Sequence, residues 1–221
     1  MKNARKSSFI IFGLCYNKLE NKFMEVFVMP NLEKIEKTMI NEKIPLEIIE
    51  KMKFTYPVNN DTQNVIAVIN KMDELLSNEQ RLAIMEKQGC CKGGQRDRDC
   101  KAFGKEHKDK PLAEKLKLLS GIQYMMSPRL NSDGTITVFY GGYQNGVHTG
   151  KTTCSCGRIK KLKQPFSVSS TFCGCCAGHF LYHYQNALGI KLKLKEIVSS
   201  PLNTNGEKHC EFKFEIIKTL E

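Results

Sequence analysis

The sequence predicts an α+β protein: an N-terminal helical segment, then a cysteine-rich domain in which one helix packs on an antiparallel sheet. Three observations carry this. Apolar residues recur at helical spacing between Asn31 and Gln88, first in Leu32, Ile35, Met39 and Ile40, then in Val65, Ile66, Ile69, Met72 and Leu76. A helix is expected from about Thr171 to Leu188, with Gly189 just past its end. Ile190 to Val198 and Cys210 to Ile217 then alternate as two strands, joined by a turn-rich loop carrying Pro201 and Asn205-Gly206. The chain divides accordingly into an extension (1–28), a helical segment (29–88) and a cysteine-rich α+β domain (89–221).

The extension opens with a basic run, Met1 to Ser8, and an apolar one, Phe9 to Cys15. It imitates a signal peptide, but Gly13 breaks the apolar part and Tyr16-Asn17-Lys18 offers no small-residue cleavage site. Leu14 also stands where a lipoprotein signal needs a small residue before Cys15. The stretch reads as an extension that is either disordered or upstream of a translation start at Met24 or Met29. No run approaches a membrane span in length, and the expected compartment is the cytoplasm, where thiols stay reduced.

In the helical segment Asp61 is placed to cap the second helix, after a break at Tyr56-Pro57-Val58-Asn59-Asn60. Gly89-Cys90-Cys91-Lys92-Gly93-Gly94 opens a different texture. A polar loop is expected from Gln95 to Cys100, then a short amphipathic helix from about Pro111 to Leu119. Ser132-Asp133-Gly134 signals a turn before a strand, Thr135 to Tyr140, and Gly141-Gly142 with Asn145-Gly146 a second turn. Gly157 to Lys163 reads as a solvated basic loop, and the lysines of Lys191 to Lys195 as the wet face of a strand.

Composition narrows the function classes. The 221 residues carry a formal charge of +11, which points toward anions. Four thiolates around one zinc contribute about two negative charges net, so two such sites would remove roughly four. The absence of Trp and the modest aromatic content argue against a base-stacking surface, so nucleic acid is disfavoured as the main partner. A homodimer is compatible with the sequence.

Ten cysteines are present, nine of them from Cys90 onward and in tight groups: Cys90-Cys91, Cys100, Cys154 and Cys156, Cys173, Cys175 and Cys176, and Cys210. Adjacent and one-apart thiols bridge each other poorly, yet they can converge on one soft cation from different loops. Zinc is the expected cofactor; an iron–sulfur cluster would draw on the same thiols.

Parity sharpens the ligand set. Ile190, Leu192 and Leu194 share a strand face, and counting by two places Glu196 on it. Cys210, Phe212, Phe214 and Ile216 share a face of the next strand. If Leu194 opposes Phe212, Glu196 lies across from Cys210, both inward; a β-bulge before Glu196 would instead turn it to solvent. Cys173 falls on the apolar stripe of Ala177, Phe180, Leu181, Tyr184 and Leu188, so Cys173, Glu196 and Cys210 can supply three ligands of a closed zinc site, or the two cysteines can simply fill a core. Cys176, His179 and His183 form another stripe, which with Cys154 or Cys156 could hold a second metal. Cys90-Cys91 and Cys154-Cys156 serve a metal or form a redox pair. Cys175 and His179, one turn apart near a helix start, are the candidate catalytic pair. Phe180, Tyr184, Phe212 and Phe214 are candidate walls of a pocket for a small apolar or amphipathic ligand.

Cys173-Gly174-Cys175-Cys176-Ala177-Gly178-His179, the helix ending in Ala187-Leu188-Gly189, the strand reaching Glu196, and Gly206 followed by Cys210-Glu211-Phe212 resemble the 4-vinyl-reductase-like domain. That domain is a small-molecule-binding relative of the NO-signalling and Golgi-transport ligand-binding fold. The resemblance implies zinc held by a helix-start cysteine, a strand glutamate, a cysteine three residues later and a cysteine in the final Cys-x-Phe element. Here these correspond to Cys173 or a neighbour, Glu196, Ser199 in place of the third cysteine, and Cys210. A thiolate from Cys154, Cys156 or Cys90-Cys91 would have to replace the missing one. From Gly89 onward the chain is also similar to a bacterial cysteine-rich family and, more faintly, to L-2-amino-thiazoline-4-carboxylic acid hydrolase-like proteins. The expected function is zinc-dependent ligand binding or sensing, with metal as a structural clamp. Hydrolysis of a small C–N or C–S substrate, and a zinc-stabilised nucleic-acid adaptor, are the alternatives.

Overall fold

The computed structural model describes residues 30–54, 61–89, 92–122, 125–140, 143–144, 147–148, 154, 156–162 and 167–219. The apolar run of the extension, Cys90-Cys91, and the expected turn residues Gly141-Gly142 and Asn145-Gly146 lie outside them. Helices α1 (Leu32–Asn41), α2 (Leu46–Lys51), α3 (Thr62–Leu75) and α4 (Asn78–Glu86) form the N-terminal part. Of these, α1, α3 and α4 each start at a side chain that satisfies a free backbone donor. Asn31 accepts from the Lys34 N–H at 3.2 Å and Asp61 from the Asn64 N–H at 2.8 Å. Ser77 and Gln80 bond reciprocally as a capping box for α4. Leu32, Ile35, Met39, Val65, Ile69, Met72, Ile84 and Met85 close the core between them.

Gln95 to Cys100, expected as a polar loop, is the first half of a helix, α5 (Gly94–Glu106). Only Cys100 and Phe103 of α5 are buried, so its periodicity is too sparse to show in the sequence. Its docking is polar as well: the Tyr182 hydroxyl donates to Asp97 at 3.0 Å. Pro111 precedes α6 (Leu112–Ser120), as expected. Buried Lys115 of α6 reaches the Leu188 carbonyl at 3.1 Å, a cation at a helix C-terminus.

Strands β1 (Arg129–Leu130) and β2 (Ile136–Tyr140) flank the expected turn. Asp133 accepts from the Thr135 N–H and takes an ion pair from Lys213, which with the Thr135 hydroxyl holds its carboxyl well below the usual carboxylate range. Strands β3 (Tyr143–Gln144) and β4 (Val147–His148) pair with each other. A 3-10 turn (Ser170–Cys173) leads into α7 (Gly174–Leu188), which ends where Gly189 adopts φ 67°, a conformation costly for any residue with a Cβ. Strands β5 (Ile190–Ser199) and β6 (Cys210–Thr219) complete an antiparallel sheet of order β1-β2-β6-β5. The coarse α+β expectation holds.

Helix α7 is the wall shared by both cores. Cys175 faces the helical part, whereas Cys173, Ala177, Phe180, Tyr184 and Leu188 face the sheet. Its close approach to α4 depends on Gly178, where a Cβ would stand 1.9 Å from the Glu86 carbonyl oxygen. The outer edge of β5 is also covered. Gln185 accepts from the Leu192 N–H at 2.8 Å and Glu86 from the Leu194 N–H at 2.6 Å, so two backbone donors of an edge strand are satisfied by helix side chains.

Candidate functional site: a thiol cluster at the start of α7

Three chain segments converge at the N-terminal end of α7. The segment entering the helix is pinned to α3. Asn70 donates to the Ser167 carbonyl at 2.9 Å and accepts from the Ser169 N–H at 3.0 Å, and the Thr171 hydroxyl donates to Asp73 at 2.7 Å. This presents Cys173 to the sheet. The Ser199 hydroxyl donates to the His209 carbonyl at 2.7 Å, drawing the end of β5 to the start of β6, where Cys210 is the first residue. Cys173 and Cys210 hydrogen-bond through their sulfurs, and both are buried.

The third segment is Cys154 to Leu162. A 3-10 turn (Ile159–Lys161) follows Gly157, and it aims the backbone N–H groups of Ile159 and Arg158 at the Cys156 sulfur. The Cys156 N–H in turn points at the Cys154 sulfur. Cys176, half-buried in the first turn of α7, donates to Cys156. Cys154, Cys156, Cys173, Cys176 and Cys210 thus lie within electrostatic reach of one another. Among the described residues every cysteine is free of disulfides.

The hydrogen bonds polarise the pairs. The bond from Cys176 pulls the Cys156 thiol down to about 6 against the effect of burial, with the two N–H groups and the Arg158 guanidinium acting in the same direction. Cys176, the donor, is held well above the ordinary thiol value. In the inner pair the Cys210 bond, with help from the Ser200 hydroxyl, lowers Cys173 and raises Cys210. Burial pushes Cys154 up to about 12 despite its N–H donor. Arg158 is buried, and its guanidinium lies beside Cys156 and Cys175, with Asp61 also acting on it. No three or more His, Cys, Asp or Glu side chains among the described residues form a group closed enough to hold a metal as they stand. The arrangement is two sulfur pairs rather than a tetrahedron.

Other expected site residues fall elsewhere. Glu196 does not face Cys210. Leu194 pairs with Phe214, a register shift leaves Lys195 over, Glu196 pairs with Lys213, and Ile197 takes the place across from Phe212. Glu196 is exposed, and the backbone opposite Cys210 is Tyr140 of β2. The bulge avoids burying an uncompensated carboxylate against Phe212 and Cys210. Ser199, at the position of the missing family cysteine, spends its hydroxyl on the His209 carbonyl.

The stripe of Cys176, His179 and His183 is also split. Cys176 turns to Cys156, whereas His179 Nε2 lies 2.6 Å from an Arg96 guanidinium nitrogen, with the His183 ring 4.5 Å away. A guanidinium in that position occupies the place a cation would need. Cys175 donates to the Gln88 carbonyl at 3.2 Å within the helical core, so it is directed away from the Arg96 side that His179 meets. Phe180, Tyr184, Phe212 and Phe214 are not pocket walls. Each is at most 3% exposed, the Phe180 ring packs on those of Tyr184 and Phe212, and the Tyr184 hydroxyl donates to the Met125 carbonyl. An open groove lined by Glu42, Glu79, Glu86, Lys87 and Lys193 lies between α4 and β5, and it is polar.

Arg158 and Ser200 are the members of this site that sequence reasoning missed. Arg158 stood in a run read as solvated; the signal that could have singled it out is its place two residues after Cys156, across the glycine. No protein-family profile matches this chain. No curated protein matches it either. Its chemistry therefore rests on the side chains themselves.

Proposed function

We propose that the chain is a zinc-binding protein of the small-molecule-binding or sensing type, with the metal as a structural clamp at the cluster of Cys154, Cys156, Cys173, Cys176 and Cys210. The observation that carries the reading is that five thiols from three separate segments lie together, two of them receiving backbone N–H bonds, with buried Arg158 beside Cys156. Such donors favour thiolate and orient it, as the outer shell of a metal site does. An all-sulfur donor set suits zinc, which takes four thiolates at about 2.3 Å. Arg158 would offset part of the net charge of about −2 that such a site carries.

Binding would replace the two sulfur–sulfur hydrogen bonds by metal–sulfur bonds and release protons, with side-chain rotation bringing the pairs together. The clamp would join the 154–162 segment, the start of α7 and the start of β6, and contribute directly to folding. A helix followed by an antiparallel hairpin with Cys210-Glu211-Phe212 supports the 4-vinyl-reductase-like reading, here without Glu196 as a ligand. A reducing cytoplasm would keep these thiols available. The test is elemental analysis of protein purified without a metal-chelating tag, with free thiols counted before and after chelation. Zinc near one per chain, and several thiols freed by the chelator, is the expected result. No metal, with all thiols already reactive or paired as disulfides, overturns the proposal, and iron in place of zinc reassigns the cofactor.

A further inference from the structure

We propose that the contact between Arg96 and His179 is an acid-released latch, which holds the N-terminal half of α5 on α7 at neutral pH and frees it when His179 takes up a proton. The geometry fixes the protonation state of the closed form. Arg96 Nη1 lies 2.6 Å from His179 Nε2. A guanidinium can only donate, so Nε2 is the acceptor and the single imidazole proton sits on Nδ1. A proton added at Nε2 removes that acceptor and sets imidazolium against guanidinium.

The surroundings give such a charge no carboxylate of its own. From α5, Asp97 accepts from the Tyr182 hydroxyl at 3.0 Å and from Lys101 at 2.8 Å, and Asp99 accepts from Gln95 at 2.6 Å. Lys92, just before α5, holds its ammonium 5.5 Å from the centre of the Tyr182 ring. On α7 itself the buried His183 ring stands 4.5 Å from that of His179, and Cys176, one turn earlier, turns to Cys156. Protonated His179 would thus join Lys92, Arg96 and Lys101 against Asp97 and Asp99. The contact contributes stability while Nε2 is unprotonated and loses it as pH falls, histidine changing charge between about pH 5 and 8.

One half of α5 depends on this contact and the other does not. Toward its C-terminal end Cys100 and Phe103 are buried, and a Cβ at Gly104 would stand 2.2 Å from the Asn186 carbonyl oxygen, so α5 and α7 meet there backbone to backbone. The front half docks through Arg96 and Asp97 and follows Gly93-Gly94, around which there is open space. Released, it moves about the fixed contact at Gly104, uncovers the His179–His183 face of α7, and frays, because so short a piece of helix is not stable unsupported.

The test is backbone hydrogen exchange of the protein as purified, at about pH 7.5 and 5.5 and corrected for the intrinsic rates. The amides to follow are 98–101, the first bonded within α5. Their protection should fall about tenfold more on acidification than that of α3 and α4. In His179→Gln, whose side-chain oxygen accepts from Arg96 without titrating, they should stay protected at both pH values. Acid release of a metal acts through thiols that this variant keeps, so it cannot produce that difference. Long-range proton–nitrogen NMR of the wild type at the higher pH should show His179 protonated on Nδ1. An equal loss of protection in every helix, no loss at 98–101, the same loss in His179→Gln, or a proton on Nε2 at the higher pH overturns the proposal. The wild-type exchange and tautomer decide even if the variant fails to fold.

Discussion

The first turn of α7 and the turns that follow carry the same kind of donor, cysteine and histidine, and meet opposite partners. At the start of the helix Cys173 and Cys176 face the sulfurs of Cys210 and Cys156. One turn on, His179 faces the Arg96 guanidinium of α5. Helical spacing states which residues share a face. What stands across from them is decided by other segments, and here that choice separates thiols facing thiols from a histidine facing a guanidinium.

The sharpest way to break the contrast is to move the helix. Gly178→Ala places a methyl group against the Glu86 carbonyl, and we expect a loss of about 3 kcal/mol or more in a denaturant titration, since backbone cannot yield as a side chain can. The next tests address the two faces separately. Cys173→Ser and Cys210→Ser should abolish bound metal, whereas His179→Ala and Glu196→Ala should leave metal content at the wild-type value. Zinc lost on replacing Glu196 or His179 would show that the wrong face has been assigned.

Within the thiol face, Cys156 and Cys154 should differ in metal-free protein. The folded thiol of Cys156 lies at about 6 against an ordinary 9.0, and that of Cys154 at about 12. Iodoacetamide should therefore modify Cys156 first at neutral pH, its rate rising through a midpoint near 6. The sign follows for stability. A depressed thiol stabilises the metal-free fold above its unfolded value, and that contribution is lost as pH falls through the folded one. Arg158→Met should raise the Cys156 midpoint and weaken metal binding by about tenfold, with Arg158→Lys recovering part of both.

The smallest expected effect lies away from the cluster. Glu86, raised by burial although it accepts the Leu194 N–H, pays a desolvation cost when ionised. That cost is absent below its unfolded value near 4.5 and grows as pH rises toward the folded one. Glu86→Gln keeps an acceptor and removes the charge. It should therefore stabilise the protein at pH 7 by roughly 0.5–1 kcal/mol and have no effect in acid, as thermal melts at the two pH values would show.

Much of the fold was legible because its signals are local. The period of Leu32, Ile35 and Met39, the cap at Asp61, the turn at Asp133-Gly134 and the stop at Gly189 all sit within one element. Helix α5 was not legible, because Cys100 and Phe103 are its only buried residues and its docking is polar. The site was legible in its donors but not in their pairing. Counting by two along β5 gave the right face up to Leu194, and the extra residue at Lys195 then turned Glu196 outward and Ile197 inward. Arg158 looked like one more solvated charge, because burial of a cation is decided by what surrounds it, here thiols from segments far apart in the chain.

The most direct test of the central claim is X-ray absorption at the metal edge of the protein as purified. The account predicts a first shell of sulfur alone, with about four metal–sulfur distances near 2.3 Å. Nitrogen or oxygen neighbours at about 2.0–2.2 Å would place the metal on a histidine or carboxylate instead and contradict it.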